Sequence, residues 1–256
     1  MNFRQRLLNG ESLVGTFCAI PHPAATEMVA SAGFDFLCLD SEHAAIDRET
    51  AENMLRAASV WSIPALVRVA GNTPELIGAA LDGGAAGVLV PRVNTAEEAR
   101  AAVDASRYPP HGSRGAGPGR ASSYGGGLSG YLGSANDDIV VAVQIESVEA
   151  VQHVAEIAAV EGLDMLFIGP GDLSVSLGAT GGTEHDTKSL QDAISSVVEI
   201  AKQLSQNIGL FRLSTDDVAH WADLGVSLFI VSSESMMMMA FMSDTASKAQ
   251  SNLKKY

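Results

Sequence analysis

Strand-like and helix-like segments alternate along almost the whole chain, and this rhythm predicts a (β/α)8 barrel. A length of 256 residues is usual for that fold, and no change in composition marks a linker, so we expect one domain spanning residues 1–256. An open doubly wound sheet is the weaker alternative, because the strands number eight and no Gly-x-Gly-x-x-Gly follows the first one. The predicted strands cover residues 13–20, 34–40, 65–69, 86–90, 140–146, 166–168, 208–213 and 226–231.

Helical patterns fill the gaps between these strands, and several begin at a proline or at a capping residue. One long segment, roughly residues 108–138, is rich in glycine and carries no periodicity, so we expect a functional or partly disordered loop there. The predicted helices cover residues 24–32, 47–61, 75–81, 95–106, 148–161, 190–205 and 214–225, and a last one begins at Ser235.

The composition narrows the range of partners and the compartment. Sixteen Lys and Arg residues against 30 Asp and Glu residues give a net charge of −14, which disfavours nucleic acid and an acidic membrane surface. An anionic substrate would therefore need a local cation. Cys18 and Cys38 lie in apolar strand-like runs, as reduced core thiols do. With no apolar run of about 18 residues and no signal-peptide pattern at the start, we expect a soluble, cytoplasmic protein.

Two carboxylates stand at the ends of successive predicted strands. Glu146 ends strand five, Asp172 follows strand six, and the helical pattern between them fits one βαβ crossover. Ligands gather at the carboxyl ends of parallel strands, so both acids should face one mouth. Oxygen ligands without neighbouring Cys or His suit a hard cation such as Mg²⁺ or Mn²⁺. The alternative is that each acid merely caps the next helix.

Other residues at this mouth could move protons or hold anions. His43 follows strand two, and histidine as a residue type titrates near neutrality, which suits a general base. Arg68 on strand three could hold a carboxylate or an oxyanion. Alternatively, His43 is a hydrogen-bonded core residue and Arg68 is a partner of Asp40 or Glu42. Asp82 could equally be a polar residue at a helix end on the other face of the barrel.

The turn from strand six into the next helix could bind a carboxylate. Gly171 allows close approach of a ligand, and the backbone N–H groups at the helix start are free to donate. Metal-binding acids, a base, an arginine and these amides together favour chemistry in which a 2-oxo acid forms an enolate.

Several short motifs occur in one order along the chain. They are Gly33-Phe34-Asp35, Asp40-Ser41-Glu42-His43, Val67-Arg68-Val69, Leu81-Asp82-Gly83-Gly84, residues 107–115, Gln144-Ile145-Glu146 and residues 169–174. With these motifs, in the order typical of the family, the chain resembles the HpcH/HpaI family of class II pyruvate aldolases over about residues 12 to 235.

The resemblance implies roles for individual residues. It implies that Glu146 and Asp172 bind a divalent metal ion, Mg²⁺, Mn²⁺ or Co²⁺. It implies that Gln144 and the Gly171–Asp172 backbone bind the pyruvyl group. By the same resemblance, His43 is the base, acting through a metal-bound water molecule, and Arg68 stabilises the enolate. Asp82 would make the histidine more basic, reaching it across a subunit boundary.

The resemblance also implies an activity and an assembly. The activity would be reversible cleavage of a 4-hydroxy-2-oxo acid to pyruvate, or a close 2-oxo acid, and an aldehyde. A decarboxylase of oxaloacetate-like acids and a CoA-ester lyase are the alternatives, and a non-catalytic binding protein is a further one. Family members are typically hexamers, trimers of dimers that exchange the last helix. A helix apolar on every side after Ser235 independently predicts a subunit contact there, with a core of adaptable Met as the alternative.

Strand seven ends in Phe211 and Arg212, where the family tends to carry small or aliphatic residues. We expect Arg212 to enter the mouth and to recognise an anionic end of the substrate. The alternative is a surface arginine paired with Asp216 or Asp217.

Overall fold

A computed structural model describes residues 1–253 and contains a closed barrel of eight parallel strands in sequence order, so the predicted (β/α)8 fold is confirmed. Each strand pairs with its neighbours along the chain, and β1 closes the barrel against β8. The strands are β1 (Leu13–Cys18), β2 (Phe36–Asp40), β3 (Ala65–Arg68), β4 (Gly87–Val90), β5 (Val140–Ile145), β6 (Met165–Ile168), β7 (Asn207–Arg212) and β8 (Leu228–Ser233).

The helices lie before the first strand, between the strands and after the last one. Thr73 and Thr95 cap the helices that follow them, and Pro74 occupies a first helical turn, as the sequence predicted. The helices are α1 (Phe3–Leu8), α2 (Pro23–Ala30), α3 (Arg48–Val60), α4 (Pro74–Asp82), α5 (Ala96–Ser106), α6 (Leu128–Asp138), α7 (Val148–Gln152), α8 (Val154–Ala158), α9 (Pro170–Ser176), α10 (Glu184–Gln203), α11 (Val218–Leu224) and α12 (Glu234–Leu253).

Side chains of alternate strand positions fill the inside of the barrel. On β2, Phe36 and Cys38 point inward, and the side chains between them pack outward against the helices. The same parity places Asp40 inward, two residues beyond Cys38. The interior is therefore apolar below and becomes polar only at the carboxyl ends of the strands.

The first helix, α1, closes the bottom of the barrel and is not among the predicted helices. Phe3 and Leu7 of α1 are buried and join the interior cluster. Beside them, Asp164 accepts from Arg4 at 2.8 Å and from Arg107 at 2.7 Å. Arg107, part of a sequence motif, therefore supports the end of the barrel opposite the mouth.

Two predicted segments differ in the structure. The helix expected over residues 148–161 is divided into α7 and α8 at His153, whose φ of −100° and ψ of 9° leave the helical region. The His153 ring Nδ1 lies 3.1 Å from the Asn94 carbonyl oxygen, and this contact holds the break. The segment 108–138, expected to be irregular, contains a 3-10 helix at Arg120–Gly125 and the helix α6.

The start of α10 was also misplaced. The helix begins at Glu184 and not near residue 190, because Thr183 and Asp186 form a capping box. The first turn of this helix is polar, so the helical spacing of apolar residues is recognisable in the sequence only further along the helix.

The last helix, α12, leaves the barrel directly after β8. None of its residues from Glu234 to Leu253 is buried, and five consecutive apolar residues at its start, Met236 to Ala240, are exposed. No helix within residues 1–253 is sufficiently long and apolar to cross a membrane.

Replacing Gly87 by alanine tests the packing of β4 against β5. An added Cβ would lie 2.3 Å from the Val140 carbonyl oxygen and 2.7 Å from the Val140 Cβ, so the strands must separate. We expect a loss of about 1–3 kcal/mol in the free energy of unfolding, the usual effect of overpacking. Urea unfolding followed by circular dichroism, at one protein concentration, measures it.

Gly78→Ala is the matched control, because nothing lies within 4 Å of a Cβ on this residue of α4. Alanine favours a helix over glycine, so this variant should be at least as stable as the parent. Equal stabilities of the two variants would contradict the tight packing inferred at Gly87.

Candidate active site

A cavity of about 240 Å³ opens at the carboxyl ends of the strands. Its wall includes the last inward-facing side chains of β2, β3 and β5, which are Asp40, Arg68 and Gln144. The cavity therefore lies where the apolar interior gives way to polar groups. The residues around it are Phe17, Ala19, Asp40, His43, Arg68, Gln144, Glu146, Phe167, Gly169, Pro170, Gly171, Asp172, Phe211, Ser233 and Met236.

Asp40 and Arg68 form a buried ion pair across β2 and β3. The two residues are register partners, so both side chains point to the same side of the sheet. Arg68 Nε donates to Asp40 Oδ1 at 2.9 Å, and Nη2 donates to Oδ2 at 2.7 Å. This bidentate geometry fixes the plane of the guanidinium at the mouth.

Burial and pairing act in opposite directions on this pair. Burial pushes the pKa of the Asp40 carboxyl upward, but the bonds and charge of Arg68, with the N–H groups of His43 and Glu42, outweigh it and lower the pKa. For Arg68, burial disfavours the charge, yet the bond to Asp40 holds its pKa above the ordinary value. Both groups are therefore charged at neutral pH, as the sequence alternative of an Arg68–Asp40 pair anticipated.

Two further neighbours hold the Arg68 guanidinium over the cavity. It lies 4.3 Å above the ring centroid of Phe17, a cation–π contact. Its Nη1 lies 3.5 Å from the Gln144 Oε1. The Arg68 guanidinium therefore faces the cavity in a fixed orientation and retains N–H groups that can donate to a ligand.

Glu146 is a buried carboxylate one residue beyond the end of β5. Its Oε1 accepts from the Arg92 N–H at 2.7 Å, and its Oε2 accepts from the Gln144 side-chain amide. Burial raises the pKa of Glu146, the Arg92 N–H lowers it, and the charges of Glu42 and Asp172 raise it, with a net increase. Negative charge is thus concentrated here beyond what the donors balance.

Glu42 adds a third acid to this region. Its side chain is 6% exposed, and its Oε2 is buried without a hydrogen-bond partner among residues 1–253. The Arg68 Nε and the His43 Nε2 lie 3.5 and 3.8 Å from that oxygen and make no hydrogen bond to it. A buried acceptor without a donor is costly, and a hydrated cation would supply the donors.

The donor set fits a hard divalent metal ion. Glu146 and Asp172 line one cavity, as predicted, and both are oxygen donors. Within residues 1–253, no group of three or more His, Cys, Asp or Glu side chains is arranged to hold a metal ion. The chain would therefore supply two carboxylates and leave the other positions to water and substrate, which suits Mg²⁺.

The turn before α9 brings its backbone close to Glu146. A Cβ on Gly169 would lie 3.0 Å from the Glu146 Oε2 and 3.4 Å from the Gln144 Nε2, so a glycine is needed there. Nothing lies within 4 Å of a Cβ on Gly171, which faces the cavity. The first N–H groups of α9 have no partner inside the helix, as expected for a place that receives an anion.

His43 borders the cavity from the loop after β2. Its side chain is about half exposed, so the alternative of a core histidine is excluded. The Asp40 Oδ1 accepts from the His43 N–H and from the Glu42 N–H, both at 3.2 Å. Asp40 therefore positions both the loop that carries His43 and the guanidinium of Arg68.

Asp82 is not brought to this cavity within one chain. It ends α4, a helix that runs back toward the amino ends of the strands, and it lies away from His43. The Arg114 Nη2 donates to the Asp82 Oδ1 at 2.7 Å, and the Arg114 guanidinium lies 4.7 and 5.4 Å from the ring centroids of Tyr108 and Tyr131. Only a second copy of the chain could place Asp82 beside His43.

Arg212 does not point into the mouth as we expected. Its Nε donates to the Asp217 Oδ1 at 2.8 Å and its Nη2 donates to the Asp217 Oδ2, which also accepts from the Trp221 Nε1 at 3.0 Å. Strand alternation explains the error, because Phe211 faces inward and lines the cavity, so Arg212 faces outward. The alternative of an arginine paired with Asp217 is confirmed.

Sequence reasoning missed several residues of the site. Glu42 stood inside a quoted motif, but no role followed from its position alone. Phe17 could have been found, because it occupies an inward position on β1 and lies beside Phe211, with ring centroids 5.7 Å apart. Met236 at the start of α12 required the fold.

Comparisons with known proteins agree with this geometry. A model of the HpcH/HpaI aldolase/citrate lyase family matches residues 13–239. A 2-dehydro-3,6-dideoxy-6-sulfogluconate aldolase of Pseudomonas putida is 39% identical over 228 residues, 89% of this chain and 88% of that protein. A pyruvate aldolase of Rhizobium etli is 38% identical over 232 residues, 90% of each chain. A crystal structure of an HpcH/HpaI aldolase/citrate lyase family protein from Burkholderia cenocepacia superposes with a TM-score of 0.89 at 34% identity, covering 96% of this chain and 98% of that one.

Replacing Asp40 by asparagine tests the buried pair through its pH dependence. The pKa of Asp40 is lowered on folding, so its contribution is present above the unfolded value, near 3.8, and is lost as the pH falls through the folded value. At pH 7 we expect Asp40→Asn to lose about 3–5 kcal/mol of unfolding free energy, since Arg68 is left buried without its partner.

Urea unfolding at pH 7 and pH 3 checks this prediction. The difference between parent and variant should be smaller at pH 3, which lies below the unfolded value, because the contribution of the carboxylate to stability is then partly lost. Asp192→Asn, at an exposed site on α10, is the matched control and should change little at either pH. A difference between parent and Asp40→Asn that does not depend on pH would contradict the assignment.

Proposed function

Since the chain belongs to the HpcH/HpaI aldolase/citrate lyase family, we propose that it is a divalent-metal-dependent aldolase. It reversibly cleaves a 4-hydroxy-2-oxo acid to pyruvate, or a close 2-oxo acid, and an aldehyde. Relatives at 35–39% identity over most of the chain carry the names of aldolases, which makes the protein a carbon–carbon lyase. The observation that carries the proposal is the convergence of Glu146, Asp172, Arg68 and His43 on one cavity.

Glu146 and Asp172 would hold the metal ion, which is Mg²⁺, Mn²⁺ or Co²⁺ in this proposal. When bound, the ion polarises the 2-oxo group and stabilises the negative charge that develops on its oxygen. The Glu42 Oε2, which no donor within residues 1–253 reaches, and the raised pKa of Glu146 support this placement, because both mark carboxylates that are buried and poorly solvated.

The remaining residues orient the pyruvyl group. The backbone of Gly171 and Asp172 at the start of α9 binds its carboxylate, and the Gln144 side chain binds beside it. Arg68, fixed by Asp40, stabilises the oxyanion of the enolate, which is a case of preorganised charge. Little reorganisation is needed, because Phe17 and Asp40 already set the position of the guanidinium.

His43 moves the protons of the reaction. It accepts the proton of the 4-hydroxyl group as the bond between C3 and C4 breaks, the aldehyde leaves, and the bonding electrons form the pyruvate enolate. It then returns a proton to C3 to give pyruvate, and synthesis follows the reverse order. A half-exposed histidine at the rim can exchange its proton with solvent between these steps.

A Schiff-base mechanism has no nucleophile in this site. The lysines within residues 1–253 lie on α10 and α12, and none of the residues that line the cavity is a lysine. Enolate formation therefore depends on charge stabilisation and not on a covalent amine.

We propose that the protein acts as a hexamer, a trimer of dimers. Asp82 lies far from His43 in its own chain, so it would act on the histidine of a neighbouring copy and make that histidine more basic. The exposed methionines of α12 and the 73% exposed Phe241 form an apolar surface suited to contact with, or exchange between, subunits.

The compartment that we propose is the cytoplasm. Cys18 and Cys38 are buried and unpaired, and burial raises the pKa of both thiols, so neither is a reactive thiolate. Reduced, inert thiols are usual in that compartment.

Glu146→Gln tests the metal site and the activity together. Purified parent should release pyruvate from a panel of 4-hydroxy-2-oxo acids, lose the activity in EDTA and regain it with Mn²⁺. The variant should bind Mn²⁺ at least about 10–100-fold more weakly, which is the usual loss of metal affinity when an outer-shell partner is removed. Isothermal titration calorimetry gives the affinity.

Glu149→Gln is the control for that experiment, because it removes the same charge at an exposed position three residues along the chain. It should keep both metal affinity and activity. Pyruvate release that continues unchanged in EDTA would refute the proposed function.

His43→Ala tests the proposed base. We expect exchange of the pyruvate methyl protons in D₂O, followed by NMR, to slow by about 10²–10⁴-fold, the usual effect of losing a general base. Mn²⁺ affinity should stay unchanged, since His43 is not a ligand. The exposed His111→Ala variant should exchange like the parent. Full exchange in His43→Ala would remove this residue from the role.

Charges placed on α12 test the assembly. The double variant Met239→Lys, Phe241→Lys should dissociate, because each lysine would be buried in the subunit contact, and light scattering should give a smaller mass. Activity should fall with it, as Asp82 could no longer reach a neighbouring His43. The control Ser247→Lys, Ser251→Lys adds the same charge to the polar part of the helix. An unchanged mass in the first variant would exclude this surface.

A further inference from the structure

We propose that Arg92, at the rim of the site, binds an anionic group at the far end of the substrate, beyond the bond that breaks. This inference rests on the proposed aldolase function and adds a substrate class to it. The aldehyde product would carry a carboxylate, sulfonate or phosphate, and the Arg92 guanidinium would be its counterion.

Arg92 is joined to the site through its backbone. It follows β4 after Pro91, and its N–H donates to the Glu146 Oε1 at 2.7 Å. Its Nε lies 3.5 Å from the Glu42 Oε1. The backbone of Arg92 is therefore anchored to Glu146, while its side chain lies beside Glu42 and is 76% exposed.

The backbone of Arg92 adopts an uncommon conformation. Its φ is +57°, in the left-handed region that glycine tolerates best and that few other residues occupy. This conformation turns the N–H toward Glu146. The position would be less strained with glycine, yet the chain carries a long cationic side chain there, and strain of this kind is concentrated at functional sites.

The charge at the mouth leaves Arg92 as an available cation. Arg68 is 8% exposed and bidentate to Asp40, and Arg212 is bidentate to Asp217. The Arg92 side chain is 76% exposed and makes no hydrogen bond with any part of residues 1–253. Since the chain has a net charge of −14, an anionic substrate end requires such a local cation.

A different reading is that Arg92 merely neutralises Glu42. Neutralisation of Glu42 and recognition of a substrate anion by Arg92 predict different kinetics. Neutralisation would affect Glu146 and its metal ion, and hence every aldehyde equally. Recognition of an anion would affect anionic aldehydes alone, and it would weaken with salt, because a solvent-exposed attraction is screened.

The experiment measures aldol addition of pyruvate to two four-carbon aldehydes, the anionic 4-oxobutanoate and the neutral butanal. Arg92→Met should lower kcat/KM for 4-oxobutanoate by about 10–100-fold, the value of one hydrogen bond to a charged group, chiefly through KM. Its kcat/KM for butanal should stay within twofold of the parent. Added KCl should reduce the preference of the parent for 4-oxobutanoate and have little effect on that of the variant.

Arg212→Met is the matched control, since it removes the same charge from a residue held by Asp217, and it should leave the preference unchanged. Arg92→Lys should retain part of it. An equal loss for both aldehydes, or an undiminished preference in Arg92→Met, would overturn the inference. A parent that exchanges pyruvate protons but favours neither aldehyde would also overturn it, whereas a parent that fails to exchange them would refute the proposed function itself.

Discussion

The burial of negative charge at the carboxyl ends of the strands is the constraint on which the rest of the site depends. Glu146 is buried, and burial together with the charges of Glu42 and Asp172 raises its pKa. One backbone N–H and one amide do not balance that charge, and a buried Glu42 oxygen has no donor among residues 1–253. In the proposed function, a divalent cation would offset this charge, and the same cation would provide the electrostatic stabilisation that an enolate requires.

The barrel makes this arrangement possible through parity and register. Inward positions are apolar along most of each strand, and on β2, β3 and β5 the last inward position is polar, so Asp40, Arg68 and Gln144 form a single layer above an apolar interior. The register of β2 and β3 sets Asp40 directly beside Arg68, which makes a bidentate pair possible without loop rearrangement. Asp40 also binds the backbone of the loop that carries His43. One carboxylate thus positions both the base and the arginine that the proposed reaction uses.

The sequence predicted the elements whose signals are local. The alternation of strand and helix patterns, together with Pro74 and the Thr95–Glu98 capping box, predicted the barrel. Acids at the strand ends predicted the position of its mouth. Features that depend on tertiary contacts were not predicted from the sequence. The sequence at the end of β7 does not show that Phe211 faces the mouth and Arg212 faces outward to Asp217, and His153 interrupts a helix where its ring contacts Asn94. The role proposed for Arg92 depends on a left-handed backbone and on a neighbour 54 residues away, so no local pattern indicates it. The role proposed for Asp82 requires a second copy of the chain.

The position of the metal ion is the most direct test of this account. A crystal grown with Mn²⁺ and pyruvate, with diffraction recorded at the manganese absorption edge, locates the ion by its anomalous signal. The account predicts one peak within bonding distance of a carboxylate oxygen of Glu146 and one of Asp172, with pyruvate beside the start of α9. A peak elsewhere, or the two carboxylates turned away from each other with pyruvate bound, would contradict it.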